Sequence, residues 1–154
     1  MNIKENILET IGNTPMIKLN KIAEDLPGSI LAKVEYFNPG HSVKDRMALK
    51  MLEDAEKRGD IKPGGTVIEC TSGNTGIALA LMAKVLGVNM VLTMPENSTI
   101  ERVKTMRAYG AKVYLTPKED GIEGSIDYAL KLKYKKGYFR LNQFDNTDNS
   151  KAHY

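Results

Sequence analysis

Ligands for a metal are scarce in this chain. Its 154 residues include two histidines and one cysteine. No carboxylates cluster beside them, so no metal-site spacing appears. The lone Cys70 excludes an internal disulfide and fits a reducing cytoplasm. Long apolar runs are missing as well. The longest, Ile77–Ala83, is far too short to span a bilayer. Met1-Asn2-Ile3-Lys4-Glu5 leads into a mixed polar segment, not an apolar one, so no secretory signal is expected there. A formal charge of +3 is too small to argue for nucleic acid. The basic residues are dispersed except over Lys131–Lys136, where Tyr134 is the sole interleaved aromatic. That stretch reads as the wet face of a helix.

What is present is the profile of a globular domain, with 42% hydrophobic and 27% charged residues and length enough for a core. Short apolar runs alternate with helical periods. Thr66–Cys70, Asn89–Met94, Lys112–Thr116 and Tyr138–Leu141 read as strands. Lys44–Arg58 reads as a helix with Ala48, Met51, Leu52 and Ala55 on one stripe and Gly59 closing it. Thr75–Leu86 is apolar nearly all round, which marks a buried helix, and Gly87 ends it. Ser98 and Glu101 stand at capping-box spacing before a helix that runs to Tyr109 and stops at Gly110. Ile122–Lys135 is the last helix, and residues 142–154 read as polar and irregular.

This rhythm predicts a parallel sheet with helices on both faces, a three-layer α/β unit. Ligands of such sheets sit beyond the carboxyl ends of the strands. Both the 71–76 segment and Asn142-Gln143-Phe144 fall at that edge. Before residue 44 the rhythm differs. Met16–Leu19 and Ile30–Glu35 are extended pieces with no crossover helix between them, and they read as part of another unit.

Two motifs carry the chemistry. Asn38-Pro39-Gly40-His41-Ser42-Val43-Lys44-Asp45-Arg46 places Lys44 at a helix start. The helix macrodipole disfavours a cation there, which favours the free amine that imine formation and proton abstraction require. The plain alternative is a surface lysine paired with Asp45. Thr71-Ser72-Gly73-Asn74-Thr75-Gly76 follows a strand and opens a helix. Its glycines permit close approach and positive φ, and its backbone N–H groups suit an anion. The spacing matches neither a Walker loop nor a dinucleotide fingerprint. Its plain alternative is a tight turn with an Asn or Thr cap. Ile11-Gly12-Asn13-Thr14-Pro15 reads as a turn before a strand. His41 and His153 read as ordinary loop residues. Cys70, Met82, Met90, Met94 and Met106 read as core.

Taken together, the motifs resemble the cysteine synthase (O-acetylserine sulfhydrylase) and cystathionine β-synthase family of fold-type II pyridoxal phosphate (PLP) enzymes. The likeness rests on Ile11–Pro15, Phe37-Asn38-Pro39, Ser42–Arg46, Thr71–Gly76, Met94-Pro95-Glu96, Glu101-Arg102, Tyr109-Gly110-Ala111, Leu115-Thr116-Pro117, Asn142-Gln143-Phe144 and Ala152-His153-Tyr154. It runs end to end, and Asn38-Pro39 looks more like the cysteine synthases. The resemblance implies that Lys44 holds PLP and that Asn74 bonds the cofactor's 3′-oxygen. It also implies that Thr71, Ser72, Gly73, Asn74, Thr75 and Gln143 form the substrate-carboxylate grip. The implied reaction is β-replacement, making L-cysteine from O-acetyl-L-serine and sulfide, with Lys44 removing and returning the α-proton. Further implications are a cytoplasmic homodimer, an acetyltransferase (serine acetyltransferase) as partner, and neither nucleic acid nor membrane.

Departures from the family pattern qualify this. Asn97-Ser98-Thr99 replaces the usual Thr-Met-Ser, Asn146–Asn149 replaces an Asn-Pro-Ala-Asn run, and Ile122 stands where Met is usual. The first two open an alternative in which L-cysteine is the first substrate and hydrogen sulfide is released. The family's chain is about twice as long, and its phosphate-binding Gly-rich loop and the Ser facing the pyridine nitrogen lie beyond this sequence. The expectation is an N-terminal portion that alone binds PLP poorly and turns over little. Residues 1–43 are then strands of an incomplete larger domain with exposed apolar surface, 44–146 the small substrate domain, and 147–154 the return to the larger one. Two other readings stay open. One is a catalytically inactive fragment that only binds. The other is an unrelated phosphate-sugar or nucleotide-binding α/β domain, which lacks a sugar-contact residue at its second strand.

Overall fold

A computed structural model describes residues 1–154. Its centre is a four-stranded parallel sheet, ordered β5-β4-β3-β6, formed by β3 (Thr66–Cys70), β4 (Asn89–Pro95), β5 (Lys112–Thr116) and β6 (Phe139–Arg140). A separate antiparallel pair, β1 (Met16–Lys18) and β2 (Leu31–Lys33), precedes it, with Ile17 opposite Ala32. Parallel pairing sets Val67 beside Met90 and Leu92 beside Val113.

The helices cover both faces because the central strands are apolar on both. Along β3 and β4, Val67, Met90, Leu92 and Met94 face one layer, where they meet α1 (Lys44–Lys57), α2 (Asn74–Leu86) and α3 (Ile100–Ala108). Ile68, Cys70 and Val91 face the other, where Ala129 of α4 (Gly121–Lys136) packs on them. Met51, Ala78, Leu79, Met82 and Met106 are fully buried, so the methionines read as core are core. Helix ends follow backbone chemistry. Gly59 and Gly87 take positive φ, +80° and +72°, just past α1 and α2, where a Cβ would be strained.

Two details differ from the sequence reading. Helix α3 begins at Ile100 with Thr99 as cap and no side-chain capping bond. Ser98 instead closes a turn on the Pro95 carbonyl at 3.0 Å. Glu101 is therefore one position too early in the helix for a capping box. The 142–154 segment is not irregular throughout. It contains α5 (Thr147–Lys151), opened by the Asn146 side chain accepting the Asp148 amide at 2.9 Å. Five residues are too few to show a helical period. Buried Asp148 then takes Arg58 Nη1 at 2.6 Å and Lys151 Nζ at 3.0 Å, which ties α5 to the end of α1. Both cations hold its carboxyl below the usual range. No helix is long and apolar enough to cross a membrane.

The Ile11–Pro15 turn does more than turn. Arg46 on α1 reaches Glu35 through Nε (2.8 Å) and Nη2 (3.0 Å), and Nη2 also donates to the Gly12 carbonyl at 2.9 Å. Thr14 Oγ1 donates to Glu35 at 2.8 Å. Asn38, buried, accepts the Gly12 amide at 2.9 Å and donates to the Glu35 and Ser42 carbonyls. This network clamps residues 11–14 and 35–42 to α1.

Arg46 and its neighbours hold the Glu35 carboxyl at about 2, against an ordinary 4.5. A depressed folded pKa stabilises above the unfolded pKa and ceases to as pH falls through the folded one. Glu35→Gln is predicted to cost about 1–3 kcal/mol at neutral pH. The difference from wild type should narrow as pH falls from about 4.5 towards 2. Urea denaturation of both proteins at several pH values measures it.

Apolar surface is concentrated before residue 44. Eleven of the eighteen exposed large apolar side chains lie there, among them Met16, Ile17, Ile22, Leu26, Leu31, Tyr36 and Phe37. Such a patch binds apolar probes. Replacing Ile17 and Leu31 by Lys is predicted to lower the fluorescence of a bound hydrophobic dye. Stability should change by no more than about 1 kcal/mol.

Candidate functional site

Topology brings the two motifs to one edge. Helix α1 leads down into β3, and β3 leads up into α2, so both helices start at the carboxyl end of the sheet. Residue 143 follows β6 and reaches the same edge. Gln143 Nε2 donates to the Cys70 carbonyl at the end of β3, at 3.4 Å.

Lys44 is the first residue of α1, with Val43 before it and no side-chain cap. Its own amide donates to Ser42 Oγ at 3.1 Å. It is half-buried, and its amine enters no ion pair. The plain reading of a surface lysine paired with Asp45 therefore fails. Asp45 is wholly buried and turns away, its Oδ2 accepting the Gly40 amide at 2.5 Å and its Oδ1 unpaired. Burial pushes its carboxyl up, with the Gly40 amide pulling the other way. A Cβ at Gly40 would collide with that carboxylate, which explains the glycine. His41, beside it, is held at φ +62°, an uncommon conformation for a residue with a side chain.

The turn after β3 differs from expectation. Neither Gly73 nor Gly76 has positive φ; Gly73 sits at φ −110°. Gly76 is demanded by packing instead. A Cβ there would lie 2.7 Å from Met106 Cε and 3.2 Å from Thr71 Cγ2. Gly73 is demanded by nothing in the chain, for a Cβ there meets no atom within 4 Å. No Asn or Thr side chain caps α2, so the plain capped-turn reading fails too. The Asn74 and Thr75 amides that open α2 have no side-chain acceptor, whereas the Gly73 amide donates to Thr71 Oγ1 at 3.4 Å and the Gly76 amide to the Gly73 carbonyl at 3.0 Å. Thr71 and Thr75 are buried, Ser72 is half-buried and Asn74 is exposed.

Sequence reasoning passed over Glu69, a carboxylate inside β3 that is 1% exposed. It accepts the Cys70 amide at 3.1 Å and the Gln143 amide at 3.3 Å. Burial pushes its carboxyl up against those two bonds and Arg140. An acidic residue within a strand buried on both faces was the available signal. Burial likewise pushes up the Cys70 thiol, which suits a core residue. A cleft of about 260 Å³ lined by Ala80, Lys84, Val88 and Met90 lies at the other end of α2 and is not part of this edge.

An edge with a primary amine and a set of uncapped amides can hold a carbonyl compound beside an anion. The model of the pyridoxal-phosphate dependent enzyme family matches residues 7–154, and the chain belongs to that family. It is 53% identical over 150 residues to cysteine synthase B of Salmonella typhimurium, covering 97% of this chain and 50% of that protein. The crystal structure of cysteine synthase from Entamoeba histolytica superposes with a TM-score of 0.93 at 44% identity, over 98% of this chain and 46% of that one. A hydrogen sulfide-producing enzyme from Fusobacterium nucleatum superposes at 0.90 with 43% identity, over 98% of this chain and 50% of that one. The chain spans about half the length of the curated relatives it matches. The fold is that of fold-type II cysteine synthases.

The residues present are compatible with that family's cofactor and with an amino acid. Lys44 is free of countercharge, and the space beside Gly73 is open. Gly73→Ala is predicted to change folding stability by no more than about 1 kcal/mol, because it meets no neighbour. It should nonetheless weaken binding of a small carboxylate at this turn, read as a raised midpoint when acetate is titrated against backbone amide NMR shifts. A large loss of stability would contradict the open-space reading.

Proposed function

We propose that this chain carries the lysine and the substrate grip of a PLP-dependent β-replacement enzyme that makes L-cysteine from O-acetyl-L-serine and sulfide. One observation carries the reading. Lys44, unpaired, and the uncapped 71–76 turn open two helices at the same sheet edge, in a chain about half identical to cysteine synthases along nearly its whole length.

Lys44 is the residue that would hold the cofactor, with Asn74 bonding its 3′-oxygen. When bound, PLP supplies an electron sink for charge developing at the substrate's α-carbon. The amine of Lys44, once released, takes the α-proton and returns it. The amides and hydroxyls of Thr71, Ser72, Gly73, Asn74 and Thr75 bind the substrate carboxylate, with the Gln143 amide closing the grip. Because α2 begins in that turn, its N-terminal dipole adds to the attraction for the carboxylate. Residues 44–146 form the substrate domain, and 1–43 belong with a larger one, which the apolar exposure of β1 and β2 supports. The active protein is a cytoplasmic homodimer, with serine acetyltransferase as a partner.

A second reading has its own support. The chain's likeness to the hydrogen sulfide-producing enzyme of Fusobacterium nucleatum, with Asn97 and Asn146–Asn149 near the site edge, favours L-cysteine as first substrate and sulfide as product. Comparing O-acetyl-L-serine with L-cysteine in steady state separates the two.

Purified chain incubated with PLP and reduced with borohydride should gain a pyridoxyl label on Lys44, located by peptide mass spectrometry. Lys44→Ala should abolish the label. Labelling spread over surface lysines in both proteins would remove the proposal. Turnover by residues 1–154 alone is expected to be slight.

A further inference from the structure

Glu69 is the only acidic residue in the four parallel strands, and what surrounds it is backbone. Oε1 accepts the Cys70 amide at 3.1 Å, and Oε2 accepts the Gln143 amide at 3.3 Å. The Asn142 amide, one residue earlier, also favours the charged carboxylate, without making a full hydrogen bond to it. Asn142 is held at φ +53°, one of two non-glycine residues with positive φ in the chain. A left-handed residue followed by the next amide turns successive N–H groups to one side and makes a concavity for an anion. Here a side chain of the neighbouring strand fills it. Arg140 does not take over this task. Its Nε stands 4.0 Å from Glu69 Oε1 and makes no hydrogen bond.

The residue so anchored is Gln143. Its side chain crosses to the Cys70 carbonyl, next to Thr71, and its own carbonyl accepts Asn149 Nδ2 at 2.8 Å. We infer that Glu69 is a positioning residue whose carboxylate anchors the Asn142–Gln143 backbone and so sets the Gln143 amide beside the 71–76 turn. The functional consequence rests on the reading of Gln143 as part of the carboxylate grip; the anchoring does not. The left-handed backbone at Asn142, unfavourable by itself, is then the cost of turning the Gln143 amide to that carboxylate.

Glu69→Gln keeps the shape and replaces a carboxylate oxygen by a donor facing donors. In the isotope-labelled chain, the backbone amides of Asn142 and Gln143 and the Gln143 side-chain amide should all shift. Hydrogen exchange at the Gln143 backbone amide should speed roughly tenfold. A response confined to the Cys70 amide would overturn the inference. Should the variant unfold, the wild-type chain supplies the test. The Glu69 carboxyl carbon and the Gln143 amide must titrate with one midpoint, and separate midpoints overturn it. With PLP present, O-acetyl-L-serine binding should weaken similarly in Glu69→Gln, Gln143→Ala and the double variant, since both act through one group. Additive losses would overturn the coupling. If wild type shows no response to O-acetyl-L-serine, the carboxylate-grip reading fails, and the amide shifts alone judge Glu69.

Discussion

Arg46 and Glu35 meet through two parallel bonds, and around that fork gather Gly12, Thr14 and Asn38. Remove it and little else fastens the first forty residues to the sheet; from that segment only Leu8 enters the main core, with Ile11 packed against it. The same fork sits two residues from Lys44 along α1. A planar guanidinium matches a carboxylate in two places at once, which fixes orientation as well as distance. The helix that carries Lys44 is thereby held in rotation and in height against the loop that precedes it. The tight loop itself, with Gly40 against Asp45 and His41 left-handed, is affordable only because both of its ends are pinned.

The edge of the sheet is built by a second kind of constraint. Buried polar groups at the strand ends satisfy one another across elements: Glu69 with the 142–143 backbone, Thr93 with the Ser125 carbonyl at 2.9 Å, and Ser125 with Thr116 at 2.5 Å. In a dry interior such bonds strengthen, and leaving any unmade is costly. They concentrate where the strands finish, so the apolar core below stays methionine, leucine and alanine while the rim stays polar. That division is what lets a polar ligand sit over an oily sheet.

Much of this was legible in the residues. The parallel strands announced themselves as short apolar runs at regular spacing, and β3 and β5 fell where the sequence reading put them. Lys44 and the 71–76 turn stood out because their residue types are unusual at a helix start. What stayed hidden was long-range. The partners of Arg46 lie up to 34 positions away, and nothing local in Ile11–Pro15 shows that its carbonyls and amides are bespoke acceptors and donors. Glu69 was overlooked because a strand reading weighs apolar period and passes over a single charge. The reason for Gly76 was read as backbone freedom, whereas it is the thioether of Met106 from another helix. Helix α5 was too short to betray a period.

That last contact has a mechanical meaning. Gly76 lets Met106 lie directly against the base of the turn, with Thr71 on the other side. Helices α2 and α3 are therefore geared at this tooth. A tilt of the turn onto a bound molecule must drag α3 along or slide past a polarisable, unbranched side chain, the softest bearing a protein can place there.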